Sequence, residues 1–330
     1  MQTMRLGSSD LEVSRLCLGT MNFGWTATEA ESFAVLDAFL EAGGNFIDTA
    51  NIYSRWLPGN KGGESEEIIG RWVKDRGVRD RVVIATKVRG RMWPGPDGEG
   101  LHPKHIKYAV NGSLKRLQVD TIDLYQAHWF DENTPIEETL GAFDELRQAG
   151  KVRFFGVSNY PPDRLRAALE ASKRDPSLPK VESLQPHHSL VHRKEWEEEL
   201  QRICLEENLG VIPYSPLASG FLTGKYTKDG PQVESQRART VKQYFNEGGW
   251  AVVDALREIA GSHGVAPAAV ALAWTLAQAG ITAPIVGANS AAQLADQLPA
   301  LSLALSAGEL SALNAASQPF LDDGTAHPGR

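Results

Sequence analysis

The sequence predicts an α/β fold, a (β/α)8 TIM barrel with an N-terminal β-hairpin and long loops at its C-terminal face, formed by residues 1–330 as a single domain. Three observations point there. Eight short runs rich in β-branched and aromatic residues recur along the chain, and segments with helical periodicity separate them. The first strand runs into GTMNFG, and no G-x-G-x-x-G stands at any strand-to-helix turn, which removes the main argument for an open doubly wound sheet. Apolar strands without clean alternation, with helices between them, read as a parallel sheet covered on its outer face.

In chain order, the opening MRLGSSDLEVSRLCLG reads as a small hairpin plugging the bottom of the barrel. Strands are expected at residues 16–18, 46–49, 82–87, 122–128, 155–158, 181–185, 211–214 and 284–287. Helices 29–42 and 135–148 carry start signals, Thr28 with Glu31 and Thr134-Pro135 with Glu137, and Gly43 and Gly150 supply their stops. Ser290 with Gln293 makes another capping box. Residues 222–250 read as a long loop before the last strand, and the Gly/Pro-rich stretch 89–100 as a lid.

The chain is 330 residues long, 42% hydrophobic and 23% charged, with a formal net charge of -7, so it offers nucleic acid and anionic lipid no general attraction and points to small-molecule partners. Cys17 and Cys204 lie in apolar contexts and are too few for a disulfide framework or a structural zinc site. Neither a signal peptide nor a membrane-spanning run is recognisable, and the cytoplasm is the default location. A homo-oligomer is compatible with the sequence. GFLTGKY fails as a P-loop, because its glycines are too close and Tyr226 stands where Ser or Thr is needed.

In a barrel, chemistry belongs at the carboxyl ends of the strands. Asp48 and Tyr53 follow the second strand in FIDTANIY, Lys87 ends the third in VVIATKV, and His128 ends the fourth in LYQAHW. Taken singly, each has a plain structural reading: Asp48 as a turn cap, His128 as a hydrogen-bonded core histidine. A lysine finishing a buried apolar strand needs a partner, and Asp48 is the nearest candidate. Four ionisable groups converging on one rim point to catalysis. His187, His188 and His192 lack an accompanying carboxylate or cysteine cluster, so no metal site is expected.

These segments, with GTMNFG, ATKV, LKRLQVDTIDLYQAHWFD, GKVRFFGVSN, LQPHHSL, VIPYSPLASGFLTGKY and IVGANSAAQL, resemble the aldo-keto reductase superfamily over nearly the whole chain, in the style of its bacterial reductase and potassium-channel β-subunit-like branches. The resemblance implies reduction of a carbonyl substrate by hydride from NADPH, with NADH as the second candidate. It makes Tyr53 the proton donor, Lys87 the ammonium that lowers the Tyr53 pKa, Asp48 the partner of Lys87, and a neutral His128 the group that orients the carbonyl. For the cofactor it implies Gly19, Thr20, Met21 and Asp48 on the first two loops, and Ser158, Asn159 and Gln185 at the nicotinamide carboxamide. Tyr214 would stack on the ring, and the loop carrying Ser215, Pro216, Leu217, Ser219, Gly220, Leu222, Gly224 and Lys225 would hold the pyrophosphate. Val286, Gly287, Ala288, Asn289, Gln293 and Gln297 would meet the adenosine end. By residue type alone, Asn159 and the Gly/Ser/Pro loop also read as ordinary turns.

Where many relatives carry a cation for the 2′-phosphate of NADPH, this chain has Ala288, Asn289 and Gln293. Arg237, Arg239 and Lys242 in the long loop are the alternative source, or else are solvated charges. Trp25, Trp93 and Trp129 follow strands one, three and four, and Trp25 and Trp129, with Tyr53 and His128, are the expected substrate wall. Two rival functions stay open: a Schiff-base enzyme using Lys87, and an NADPH-holding redox sensor or regulatory subunit with slow turnover.

Overall fold

The computed structural model describes residues 1–228, 230 and 238–322. Arg237 lies outside the described residues. A hairpin of β1 (Thr3–Arg5) and β2 (Glu12–Ser14) precedes eight parallel strands: β3 (Cys17–Gly19), β4 (Phe46–Asp48), β5 (Val83–Val88), β6 (Ile122–Ala127), β7 (Val152–Ser158), β8 (Val181–Gln185), β9 (Gly210–Val211) and β10 (Ile285–Val286). They hydrogen-bond in the order β10-β3-β4-β5-β6-β7-β8-β9, with β3 to β9 in sequence order and β10 beside β3. The two ends of that order meet. The amides of Thr282 and Ala283 donate to the Val211 carbonyl at 2.8 and 3.2 Å, and the Ile285 amide donates to the Pro213 carbonyl at 2.8 Å, which closes the sheet into the (β/α)8 barrel.

β9 and β10 are shorter than expected. Pro213 and Pro284 carry no N–H, so the ladder thins to single hydrogen bonds there. β7 instead starts three residues earlier than expected, at Val152, which pairs with Ile122.

Side-chain alternation along the strands builds the barrel interior in layers. Cys17, Phe46, Ala85, Leu124, Ile212 and Ile285 form one apolar cluster with Leu6, Leu11 and Val13 of the hairpin. The hairpin therefore plugs the barrel floor. Two residues further along the same strands stand Gly19, Asp48, Lys87, Gln126, Tyr214 and Gly287. A period of two thus places an apolar floor beneath a polar layer at the carboxyl ends.

The Thr28 capping box is present: Thr28 Oγ1 accepts from the Glu31 amide at 3.3 Å and Glu31 Oε2 from the Thr28 amide at 2.8 Å. Gly43 and Gly150 follow their helices at φ +82° and +70°. The other two start signals work differently. Helix Ile136–Gln148 starts after Pro135 without a side-chain cap, because Thr134 Oγ1 donates to Asp131 instead. Ser290 accepts from the Gln293 amide, but Gln293 Oε1 takes the Asn289 amide, so only half of that box forms.

The long insertion is partly helical. It contains Ala238–Val241, and helix Glu247–His263 begins inside it, capped by Asn246 Oδ1 on the Gly249 amide at 2.9 Å. Among the described residues no single helix is long and apolar enough to cross a membrane.

Candidate active site

Lys87 is fully buried at the end of β5, and its ammonium is saturated. Its three hydrogens meet three acceptors: Asp48 Oδ2 at 2.5 Å, the Thr49 carbonyl at 2.8 Å and Tyr53 Oη at 2.9 Å. Burial pulls the Lys87 pKa down, but Asp48 and Tyr53 outweigh it and hold the amine above its ordinary value. The other Asp48 oxygen accepts from Gln185 Nε2 at 2.9 Å and Gln126 Nε2 at 3.1 Å, and Gln185 also donates to Gln126 Oε1. The buried carboxylate thus has a charge partner and two amide donors.

The half-buried Tyr53 phenol follows a different balance from the one expected. Burial raises its pKa, Lys87 lowers it and Asp48 raises it, with a net position above the ordinary value. The expected net lowering by Lys87 is therefore not what the structure shows, because lost hydration outweighs the ammonium. The phenol keeps its proton at neutral pH. Since Tyr53 Oη accepts from Lys87, the lysine does not consume the phenolic hydrogen.

His128 completes the rim. Its ring centroid lies 6.1 Å from that of Tyr53 at 76°, and its backbone amide donates to the Val88 carbonyl at 2.9 Å. Asn159 Nδ2 donates to the His128 carbonyl at 2.9 Å and to Ser158 Oγ at 3.0 Å, while Asn159 Oδ1 accepts from Tyr214 Oη at 2.8 Å. Ser158 Oγ donates to the Gln185 carbonyl at 3.0 Å. Ser158, Asn159, Gln185 and Tyr214 thus form one connected network with Asp48.

Beyond this network the expected cofactor residues divide into backbone and side-chain positions. Leu217, Leu222, Val286 and Ala288 are buried in the core, so a bound molecule would meet their backbone. Thr20 ties loops together: its amide and hydroxyl both reach the Asp48 carbonyl, and Ser65 Oγ donates to Thr20 Oγ1 at 2.8 Å. Ser215, Ala218 and Ser219 have φ of +55°, +48° and +57°, and with Gly220 and Gly224 they fold the loop into tight turns in which the Ala218, Gly220 and Leu222 amides donate to backbone carbonyls. Lys225 is exposed beside it. Gln297 Oε1 is buried without a hydrogen-bond partner among the described residues, while its Nε2 donates to the Gly287 and Gln293 carbonyls. The orphaned Gln297 acceptor and a Gly/Ser-rich turn beside Lys225 fit a phosphate-bearing nicotinamide cofactor in donor and acceptor chemistry.

Asn289 is engaged within the protein. Its Oδ1 accepts from Asn22 Nδ2 at 2.7 Å and Thr26 Oγ1 at 2.9 Å. Arg239 and Lys242 are both exposed.

Trp56, which the sequence did not single out, packs with the aromatic residues expected to face the substrate. Trp56 lies edge-on to Trp25 at 5.3 Å and to Tyr53 at 6.4 Å, and the Trp129 ring lies 4.5 Å from that of His128, tilted by 55°. Trp93 packs elsewhere, on His105 and Tyr108 of the helix Pro103–Leu117. The 89–100 stretch is stapled shut by Met92 N on the Gly98 carbonyl, Gly100 N on the Arg89 carbonyl and the pair Arg91–Glu99. His187 stacks between His192 and Tyr214, at 3.7 and 4.9 Å, and His188 reaches Glu197 at 3.1 Å. Gln126 carries only a positional signal: it stands two residues before His128 in a buried strand and so shares its face. The Thr49 carbonyl carries no signal in residue type.

The sequence profile of the aldo/keto reductase family matches residues 15–318. The Bacillus subtilis protein named Uncharacterized oxidoreductase YrpG is 38% identical over 321 residues, covering 95% of each chain. A probable voltage-gated potassium channel subunit beta from Oryza sativa subsp. japonica is 35% identical, covering 91% of each chain. The L-glyceraldehyde 3-phosphate reductase of Escherichia coli is 32% identical, covering 95% of this chain and 92% of its own. Matched along almost its full length, the chain belongs to the aldo/keto reductase family.

Proposed function

We propose that the protein reduces aldehydes or ketones to alcohols, with Tyr53 protonating the carbonyl oxygen and a nicotinamide cofactor, NADPH, supplying the hydride when bound. The observation that carries this reading is the saturated Lys87 ammonium, donating to Asp48, the Thr49 carbonyl and Tyr53 at once. It gives the phenol oxygen a cationic neighbour, so the tyrosinate left after proton donation costs less than burial alone would impose. Asp48 holds Lys87 in place, and His128 donates a hydrogen bond to the carbonyl oxygen and orients it. The held charge on Lys87 also opposes a Schiff-base role, which needs a neutral amine.

A second reading, a protein that keeps NADPH as a redox-sensing or regulatory ligand, draws on the likeness to the rice channel subunit. Loss of reduced-nicotinamide absorbance across a panel of aldehydes, ketones and sugars separates the two. Sustained turnover supports the reductase, and a single slow turnover of bound cofactor with every carbonyl supports the sensor. Tyr53→Phe should lower kcat/KM by about 10²–10⁴-fold with the fold intact. Near-normal turnover in that variant removes Tyr53 as the acid. Higher efficiency with NADH than with NADPH removes the cofactor assignment.

A further inference from the structure

The inward alternation of β5 continues past its end. Ala85 lies in the barrel floor, Lys87 in the candidate site, and Arg89 follows two residues on. The backbone turns there at φ +138°, a conformation rare for residues other than glycine, and Gly90 presses on the preceding loop so closely that a Cβ would meet Ile52 Cγ2 at 2.3 Å. The Gly100 amide, 2.8 Å from the Arg89 carbonyl, pins the turn.

This turn lays the guanidinium over Trp129, 4.9 Å from the ring centroid, and the Trp129 ring lies 4.5 Å from that of His128. Arg89 is half-buried, its Nε is buried without a hydrogen-bond partner, and it has no ion-pair partner among the described residues. The acid that feels its field, Asp131, has its oxygens taken by the amides of Leu101 (2.7 Å) and Asn133 (3.1 Å) and by the Thr134 hydroxyl (3.0 Å). A guanidinium is a rigid fork matched to carboxylate and phosphate, and a buried donor left unpaired is costly.

We propose that Arg89 is a specificity-determining residue that binds an oxyanion, carboxylate or phosphate, carried by the carbonyl substrate a few atoms from its reacting carbon. This assignment rests on the carbonyl-reductase reading. Trp129 holds the guanidinium by its 4.9 Å cation–π contact, and the terminal nitrogens would receive the oxyanion of a bound substrate. Neutral aldehydes of the same length would use the same catalytic groups without this contact.

The test compares succinic semialdehyde, glyceraldehyde 3-phosphate and neutral butanal in the wild type, Arg89→Leu and Arg89→Lys. The wild type should favour the charged substrates. Arg89→Leu should lose about tenfold or more in kcat/KM for them, mostly through KM, with butanal changed less than about twofold. Arg89→Lys should recover part of the loss. Carboxylate and phosphate arms that differ tell which oxyanion the site prefers. An equal fall for all three substrates, or no preference for charged ones in the wild type, overturns the proposal.

Calorimetric titration with succinate and with inorganic phosphate tests the contact apart from turnover. Saturable binding by the wild type that Arg89→Leu loses supports it even if no carbonyl is reduced, an outcome that would sink only the reductase reading. Binding that Arg89→Leu retains, or no binding of either anion by the wild type, overturns it.

Discussion

Each of the three hydrogens on the Lys87 ammonium has one acceptor, so removing the lysine leaves several groups altered at once. Lys87→Met strands the Asp48 carboxylate in the barrel with only Gln126 and Gln185 to serve it. Breaking a buried pair in this way costs about 3–5 kcal/mol. Thermal unfolding should show that loss, and turnover should fall with it. Adding Asp48→Asn should restore much of the stability and none of the turnover, which separates the charge imbalance from the chemistry. Protonation follows the same physics. Tyr53 must be protonated to act as an acid, and burial holds its pKa above the ordinary value of about 10. Reduction should therefore hold steady across neutral pH and fall only as pH rises through that raised value. A descending limb centred near pH ~8 in kcat/KM would mean that another group titrates.

Elements meet through specific close approaches, and one of them reverses a propensity argument. Gly70 lies in the helix Glu64–Arg76, where alanine should be better by about 1 kcal/mol. A Cβ there would sit 2.1 Å from the Arg116 carbonyl oxygen and 2.7 Å from the Leu117 carbonyl carbon, backbone atoms at the end of the helix Pro103–Leu117. Gly70→Ala should therefore lower the melting temperature. A rise would show that the two helices separate easily. The same interface carries Glu66, fully buried, which accepts from Arg116 Nε at 2.7 Å and Thr86 Oγ1 at 2.6 Å and so joins both helices to β5. The helical starts at Thr28 and Asn246 are capped by their own side chains, while the Thr134 hydroxyl turns instead to Asp131.

Across the whole molecule, floor and rim are built by one alternation but do different work. Leu6, fully buried, closes the floor with Phe46, Ala85 and Leu124, one layer below Asp48 and Lys87. Leu6→Ala should cost about 2–5 kcal/mol by denaturant unfolding while the folded fraction keeps its kcat. A kcat that falls with stability would mean that the floor also sets the geometry of the rim. Closure at β9 and β10 is thin, and Pro213 and Pro284 are the reason.

The sequence by itself determined the order of strands and helices, the hairpin plug at the barrel bottom, and Asp48, Tyr53, Lys87 and His128 as polar groups at or just after strand ends. Hydrophobic periodicity and capping are local, and a polar residue that ends an apolar strand stands out in one dimension. Only the tertiary structure decided that the Thr49 carbonyl takes the third lysine hydrogen, that Trp56 packs edge-on to Trp25 and Tyr53, and that Arg89 lies over Trp129. It also decided the balance on Tyr53, because burial is a sum over neighbours from many strands, and no local pattern reports whether lost hydration or a nearby ammonium prevails.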